Sequence, residues 1–161
     1  LNPSSAASDV YKRQPLKGVV ATIETTSGTG IEARVNSIQD LPDPRLFNIR
    51  GKAIIPDLTS YPMLIESCFQ AAGLTSMDLD SAESLPVGAK RILIAGEIPE
   101  GSLTVTSVRK GSETNGTFVH ESVIRLDGSP IMRIDGLKMK KLRDLSDDQR
   151  PGLAEYSGEL T

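Results

Sequence analysis

The chain has 161 residues, with 18 Lys and Arg against 21 Asp and Glu, one His, one Cys and no Trp, an ordinary composition for one globular domain. A net charge of −3 lacks the clustered cations that sequence-independent nucleic-acid binding needs, and a single Cys and a single His exclude a disulfide framework, a Cys-rich metal site and any two-His metal motif. No apolar run is long enough to span a membrane, and the sparse cysteine usage predicts a reducing, cytoplasmic compartment.

Residues 1–14, LNPSSAASDVYKRQ, carry no periodic apolar pattern and no signal-peptide core. Their tail, Asp9 to Gln14, resembles a translated sequencing-adapter end, so the segment is expected to be non-native and to take no part in the fold. Two β-branched runs follow, Gly18 to Ile23 and Ile31 to Val35, flanking a turn at Ser27 to Gly30, the pattern of a hairpin. A Pro-interrupted loop, DLPDPRLF, leads to a short apolar run, Ala53 to Ile55. A helix is predicted from Pro62, capped by Thr59 or Ser60, to Ala72, with Gly73 as its stop; it would be about 17 Å long. After a polar loop, Thr75 to Ser84, come four strand-like runs, Ala89 to Ala95, Ser102 to Arg109, Thr117 to Leu126 and Pro130 to Leu142. The last two are joined by Asp127-Gly128, a two-residue hairpin turn. The domain is thus expected over 15–142, with 143–161 as a tail or linker. One helix among at least six strands predicts an α+β fold, an antiparallel sheet packed on a central helix.

Six apolar side chains of the helix (Leu64, Ile65, Cys68, Phe69, Ala71 and Ala72) form a broad arc, while Glu66 and Gln70, four apart, share the opposite side with Met63 and Ser67. That side is poor in charge for a solvated face, and no Lys or Arg occurs from Ala53 to Ala89. A carboxylate without a nearby cation in an apolar element is a candidate for a raised pKa and for acid chemistry. Cys68 falls on the apolar arc and reads as a small core residue rather than a nucleophile. The Gly28 to Gly30 turn is followed by no helix and makes no phosphate loop. Lys138, Lys140, Lys141 and Arg143 read as a solvated strand end, with a phosphate or an acidic protein surface as the other reading.

The stretch YPMLIESCFQAAGL, Tyr61 to Leu74, resembles the helix motif of polyketide synthase dehydratase domains, His-Pro-x-x-x-Asp-x-x-x-Gln followed by small residues and Gly-Leu. Leu85-Pro86 and the closing stretch Val123 to Leu142 are similar to the same family's final strand pair, so the resemblance covers roughly Val19 to Leu142. The resemblance implies a hot-dog fold, a curved antiparallel sheet wrapped around one central helix. In that family two hot dogs stand in tandem, the catalytic His in the first and the carboxylate in the second, and this chain matches the second, C-terminal one. Glu66 then stands where the family has its Asp, Gln70 matches its Gln, and Tyr61 and Pro62 match its His-Pro as substrate-binding positions. The implied reaction removes water from a β-hydroxyacyl thioester: a base takes the α-proton while Glu66 protonates the departing hydroxyl. It uses no metal and no redox cofactor, the substrate riding on the phosphopantetheine of an acyl carrier protein. The expected partners are that carrier, an N-terminal hot-dog half and the other domains of a polyketide or polyunsaturated-fatty-acid synthase. Because His120 lies in a strand-like run without the His-x-x-x-Gly context, the fragment alone is expected to be inactive. Two other readings stand beside it, a hot-dog acyl thioesterase and a non-catalytic scaffold half. An exposed apolar face, left by the absent half, is also predicted.

Overall fold

A computed structural model describes residues 20–35, 48–49, 52–53, 56–95 and 101–149; the segment 1–14 expected to be non-native, the Pro-interrupted loop and the end of the tail lie outside them. The expected hairpin forms from β1 (Val20–Thr26) and β2 (Gly30–Val35). Its turn is closed by the Ser27 amide donating to the Gly30 carbonyl at 2.8 Å, and Ser27 Oγ accepts from the amides of Thr29 and Gly30. A short pair, β3 (Asn48–Ile49) and β4 (Lys52–Ala53), precedes the single α-helix of the described residues, α1 (Pro56–Asp80), and a 3₁₀ turn, Asp147–Gln149, follows the last strand. The remaining strands are β5 (Ala82–Gly88), β6 (Arg91–Ile94), β7 (Leu103–Glu113), β8 (Thr117–Leu126) and β9 (Ser129–Asp144). One curved sheet takes the order β1-β2-β7-β8-β9-β5, antiparallel at every pairing, with β6 also on β9. The β8–β9 turn has positive φ at both Asp127 (47°) and Gly128 (85°), the combination whose twist suits a two-residue hairpin.

The helix differs from its expected bounds at both ends. It begins at Pro56, where a missing amide costs nothing, and carries Pro62 in its interior. It also runs straight through Gly73 and ends only at Ser81, whose φ of +48° turns the chain into β5. A glycine inside a helix costs about 1 kcal/mol relative to alanine. Continuing the helix buries Leu74 and Met77, both 1% exposed, and each such side chain gains about 1.5–3 kcal/mol. Burial therefore outweighs the break that Gly73 signals locally. The segment predicted as a polar loop is accordingly the last turns of α1 and the start of β5. Thr75 and Ser76 are fully buried there, and their hydroxyls donate to the carbonyls of Ala71 and Ala72.

α1 lies across the inner face of the sheet, against β2, β5, β7 and β8. Met63, Leu64, Cys68 and Ala71 of the helix meet Ile31, Val105, Ile124 and Leu137 of the strands in one apolar core. At the far end of the helix a polar cluster fastens it to the sheet. Arg109 of β7 forms a two-pronged ion pair with Asp80 and lies 4.1 Å above the Phe118 ring. Beside it His120 of β8 is buried between Ser107 and Ser76. The fold also continues past residue 142: β9 ends at Asp144, and Leu145 is buried with its amide donating to the Ser81 carbonyl at 2.6 Å.

β9 receives two strands on one edge, β6 opposite residues 132–135 and β5 opposite 138–144. Between them Gly136 has φ of +60°, and a Cβ there would stand 2.9 Å from Lys90 Cβ, so the position needs glycine. The β8–β9 register slips at the same place, the mark of a bulge.

Candidate functional site

α1 presents Glu66, Phe69 and Gln70 on one side, one turn apart. The reversal at Ser81 brings β5 back over them, and Met139 of β9 pairs with Pro86. Together Glu66, Phe69, Gln70, Ser84, Leu85, Pro86 and Met139 line a pocket of about 150 Å³. Its walls are apolar apart from Glu66, Gln70 and Ser84.

Glu66 is half-buried and Gln70 is buried. Gln70 holds two groups at once: its amide nitrogen donates to Glu66 Oε1 at 3.1 Å, and its amide oxygen accepts from the buried Val20 amide at 3.1 Å. Burial pushes the Glu66 carboxyl above its ordinary range, and the bond from Gln70 opposes that rise without cancelling it. The face they share is no solvated face, since Met63 and Ser67 on it are buried. The broad apolar arc and the side opposite are both enclosed, so α1 is a central helix rather than an amphipathic surface one.

The structure thus unites Glu66 and Gln70 in one pocket. Pro62 stands exposed on the helix and does not line it, and the side chain of Tyr61 lies outside the described residues. Ser84, Phe69 and Met139 were not singled out as site residues by sequence; the one signal was the neighbouring Leu85-Pro86. Ser84 is 3% exposed, and its hydroxyl finds no hydrogen-bond partner among the described residues.

Other candidates resolve differently. Cys68 is fully buried and burial pushes its thiol up to about 12, which leaves almost no thiolate at neutral pH. The basic strand end is engaged within the chain: Lys138 pairs with Glu113 at 2.6 Å and Lys141 with Asp144 at 2.5 Å, Lys140 donates to the Asn115 carbonyl and Arg143 pairs with Glu83. That arrangement fits a solvated strand end. Among the described residues no group of three His, Cys, Asp or Glu is placed to hold a metal ion, and no helix is long and apolar enough to cross a membrane. Leu85 and Val87 of β5 and Ile92, Leu93 and Ile94 of β6 are exposed apolar side chains on the two strands that pair with one edge of β9, and Leu85 also lines the pocket.

The family profile described as "Polyketide synthase dehydratase N-terminal domain" matches residues 42–149. Among solved structures, the dehydratase domain of RzxB from Pseudomonas fluorescens is similar with a TM-score of 0.57 and 18% identity, over 85% of this chain and 48% of that one. A hypothetical thioesterase from Streptococcus pneumoniae, solved with coenzyme A, gives a TM-score of 0.56 and 16% identity over 77% of this chain and 87% of that one. A thioesterase from Haemophilus influenzae gives 0.55 and 11%, over 87% and 90%. No curated protein sequence matches significantly. At these identities the structural likenesses establish the fold, and it is the hot-dog fold.

Proposed function

The chain belongs to the polyketide synthase dehydratase family, and from that premise we propose that it is the carboxylate-bearing, C-terminal hot-dog half of a dehydratase domain. The carrying observation is Glu66: a half-buried carboxyl, raised by burial and held by Gln70, in an otherwise apolar pocket. The matching profile is described as an N-terminal domain. The chain's own residues favour the second half, because its one His is locked in the core at the other end of α1 while the helix carries the acid and the Gln. Likeness to about half of the RzxB dehydratase domain is consistent with one hot dog of two.

In the proposed reaction a base on the N-terminal half takes the α-proton of a β-hydroxyacyl thioester. The electron pair of that C–H bond becomes the new α,β double bond, and the β-carbon–oxygen bond breaks. Glu66 gives its proton to the departing oxygen, which leaves as water. Gln70 occupies Oε1, so the proton sits on Oε2 and is presented to the pocket. A carboxyl raised by burial keeps that proton nearer to neutral pH than an exposed one would. The pair of the broken carbon–oxygen bond stays on the departing oxygen, so the elimination shifts only protons and electron pairs, with no net oxidation or reduction, and calls for no metal or redox cofactor, the acyl chain arriving on the phosphopantetheine of an acyl carrier protein. The exposed apolar side chains of β5 and β6 are where the other half would dock, in a cytoplasmic synthase.

Glu66→Gln in the intact protein tests this. Loss of a general acid lowers turnover by about a hundredfold or more, and unchanged formation of the enoyl thioester overturns the assignment and leaves the scaffold reading. A hot-dog thioesterase is the second reading, favoured by the likeness to two proteins named as thioesterases. It would release free thiol in place of an α,β-unsaturated thioester, so the product separates the two.

A further inference from the structure

The β7–β8 turn carries a chemistry that the pocket does not use. Of the four Asn residues in the chain, Asn2, Asn36, Asn48 and Asn115, only Asn115 is followed by glycine. It is exposed in that turn, and Gly116 after it has φ of +76°. The missing Cβ leaves the Gly116 nitrogen open to the neighbouring side chain, where any other residue would crowd the approach. Asn115 Oδ1 accepts from the Thr117 amide at 3.1 Å, so a donor already stands on the oxygen that an attack at Cγ would charge. The Gly116 amide donates to the Glu113 carbonyl at 3.2 Å, the long end of the usual range, in a turn where water can take over the bond. The ammonium of Lys140 donates to the Asn115 backbone carbonyl and holds a cation on the same residue.

We propose that Asn115 is a self-modification site, at which the side-chain amide is lost through attack by the Gly116 backbone nitrogen. This is independent of the dehydratase reading. The Gly116 nitrogen gives its proton to hydroxide and bonds to Asn115 Cγ. The Cγ–Nδ2 bond then breaks, and its electron pair leaves with the nitrogen, which takes a proton from water and departs as ammonia. Water opens the remaining succinimide at either carbonyl, giving aspartate or isoaspartate, and nothing is oxidised or reduced. The reacting atoms belong to neighbouring residues, so the step is intramolecular and needs no bound partner. The Thr117 amide steadies the oxyanion of the intermediate. Lys140 polarises the backbone carbonyl of Asn115, the one whose opening gives isoaspartate, and its charge then faces the carboxylate formed there. Isoaspartate lengthens the turn backbone by one carbon, next to the Glu113–Thr117 pair that closes the hairpin.

The test is peptide mapping by mass spectrometry after the full chain is incubated in mildly alkaline buffer, with a parallel sample unfolded in urea. Wild type, Gly116→Ala and Asn115→Gln are compared, and thermal melts establish that each is folded. In the folded wild type Asn115 converts to isoaspartate and aspartate, with isoaspartate in excess, while Asn48, followed by the β-branched Ile49, stays intact. Gly116→Ala loses the conversion. Its added Cβ meets only Lys141 Cβ, at 3.8 Å, so the loss reports hindrance at the nitrogen rather than displaced neighbours. Asn115→Gln keeps an exposed amide but places it one carbon further from that nitrogen, and it too stays unmodified. Should the positive φ at Gly116 prevent Gly116→Ala from folding, the comparison is read on the urea-unfolded chains, where the same hindrance acts. An Asn115 that stays intact in the folded wild type, whether or not it converts in urea, overturns the proposal. So does conversion of Gly116→Ala at the wild-type rate, or conversion of Asn48 alongside Asn115.

Discussion

His120 gives the sharpest quantitative expectation. It is fully buried, with Nδ1 at 3.3 Å from Ser107 Oγ and Nε2 at 3.4 Å from Ser76 Oγ. Arg109 Nε donates to Nε2 at 3.3 Å; a guanidinium can only donate, so Nε2 accepts and the ring proton sits on Nδ1. Burial first, and then the Arg109 charge, lower its pKa from 6.5 to about 3. In the unfolded chain the ring takes up a proton as the pH falls through 6.5, whereas the folded ring stays neutral until about 3. Acid therefore favours the unfolded state, and stability is lost progressively between those two values. With these pKa values the loss from this one group is about 2 kcal/mol at pH 5 relative to pH 7.5. Domains of this size have only about 5–15 kcal/mol in total. Urea unfolding at several pH values, compared with His120→Gln, separates the contribution of this ring from that of every other titrating group. The variant carries a fixed packing cost but no protonation at this site, so its stability advantage or deficit relative to wild type shifts by about 2 kcal/mol across the range. A difference between the two proteins that stays constant from pH 7.5 to 5 refutes the reasoning.

Gln70→Met keeps the side chain's length but strips both hydrogen bonds, leaving the buried Val20 amide unpaired at a cost of about 1–3 kcal/mol in urea unfolding. The same change removes the bond that lowers the Glu66 pKa, so carboxyl NMR should show the Glu66 titration moving further up; an unmoved titration would refute the coupling. Gly30→Ala places a Cβ 2.1 Å from the Ser107 carbonyl oxygen and 2.9 Å from Val108 Cα, both backbone atoms, so β2 must part from β7. The expected cost is at least about 2 kcal/mol by thermal or urea unfolding. Gly28→Ala, which meets nothing within 4 Å, is the control and stays within about 0.5 kcal/mol of wild type.

Local sequence determined the first hairpin, β7, β8 and β9 and the turns that join them. β8 is bounded as the alternation of Thr117 to Leu126 predicts, and Asp127-Gly128 names its own turn, because pleat period and left-handed backbone preference act between near neighbours. It also determined that Glu66 and Gln70 meet, since four residues make one helical turn and their bond follows. The length of α1 was not legible in this way. Gly73 and Pro62 both read as boundaries, and only the burial of Leu74 and Met77 against the sheet carries the helix past them. β5 was hidden for the same reason: Ala82, Glu83 and Ser84 show no apolar alternation, and the strand exists because β9 offers it an edge. The pocket belongs wholly to the tertiary structure. Glu66 meets Ser84 and Met139 through the turn at Ser81 and a β9 register set by the bulge at Gly136, and such a register depends on contacts between residues far apart in the chain.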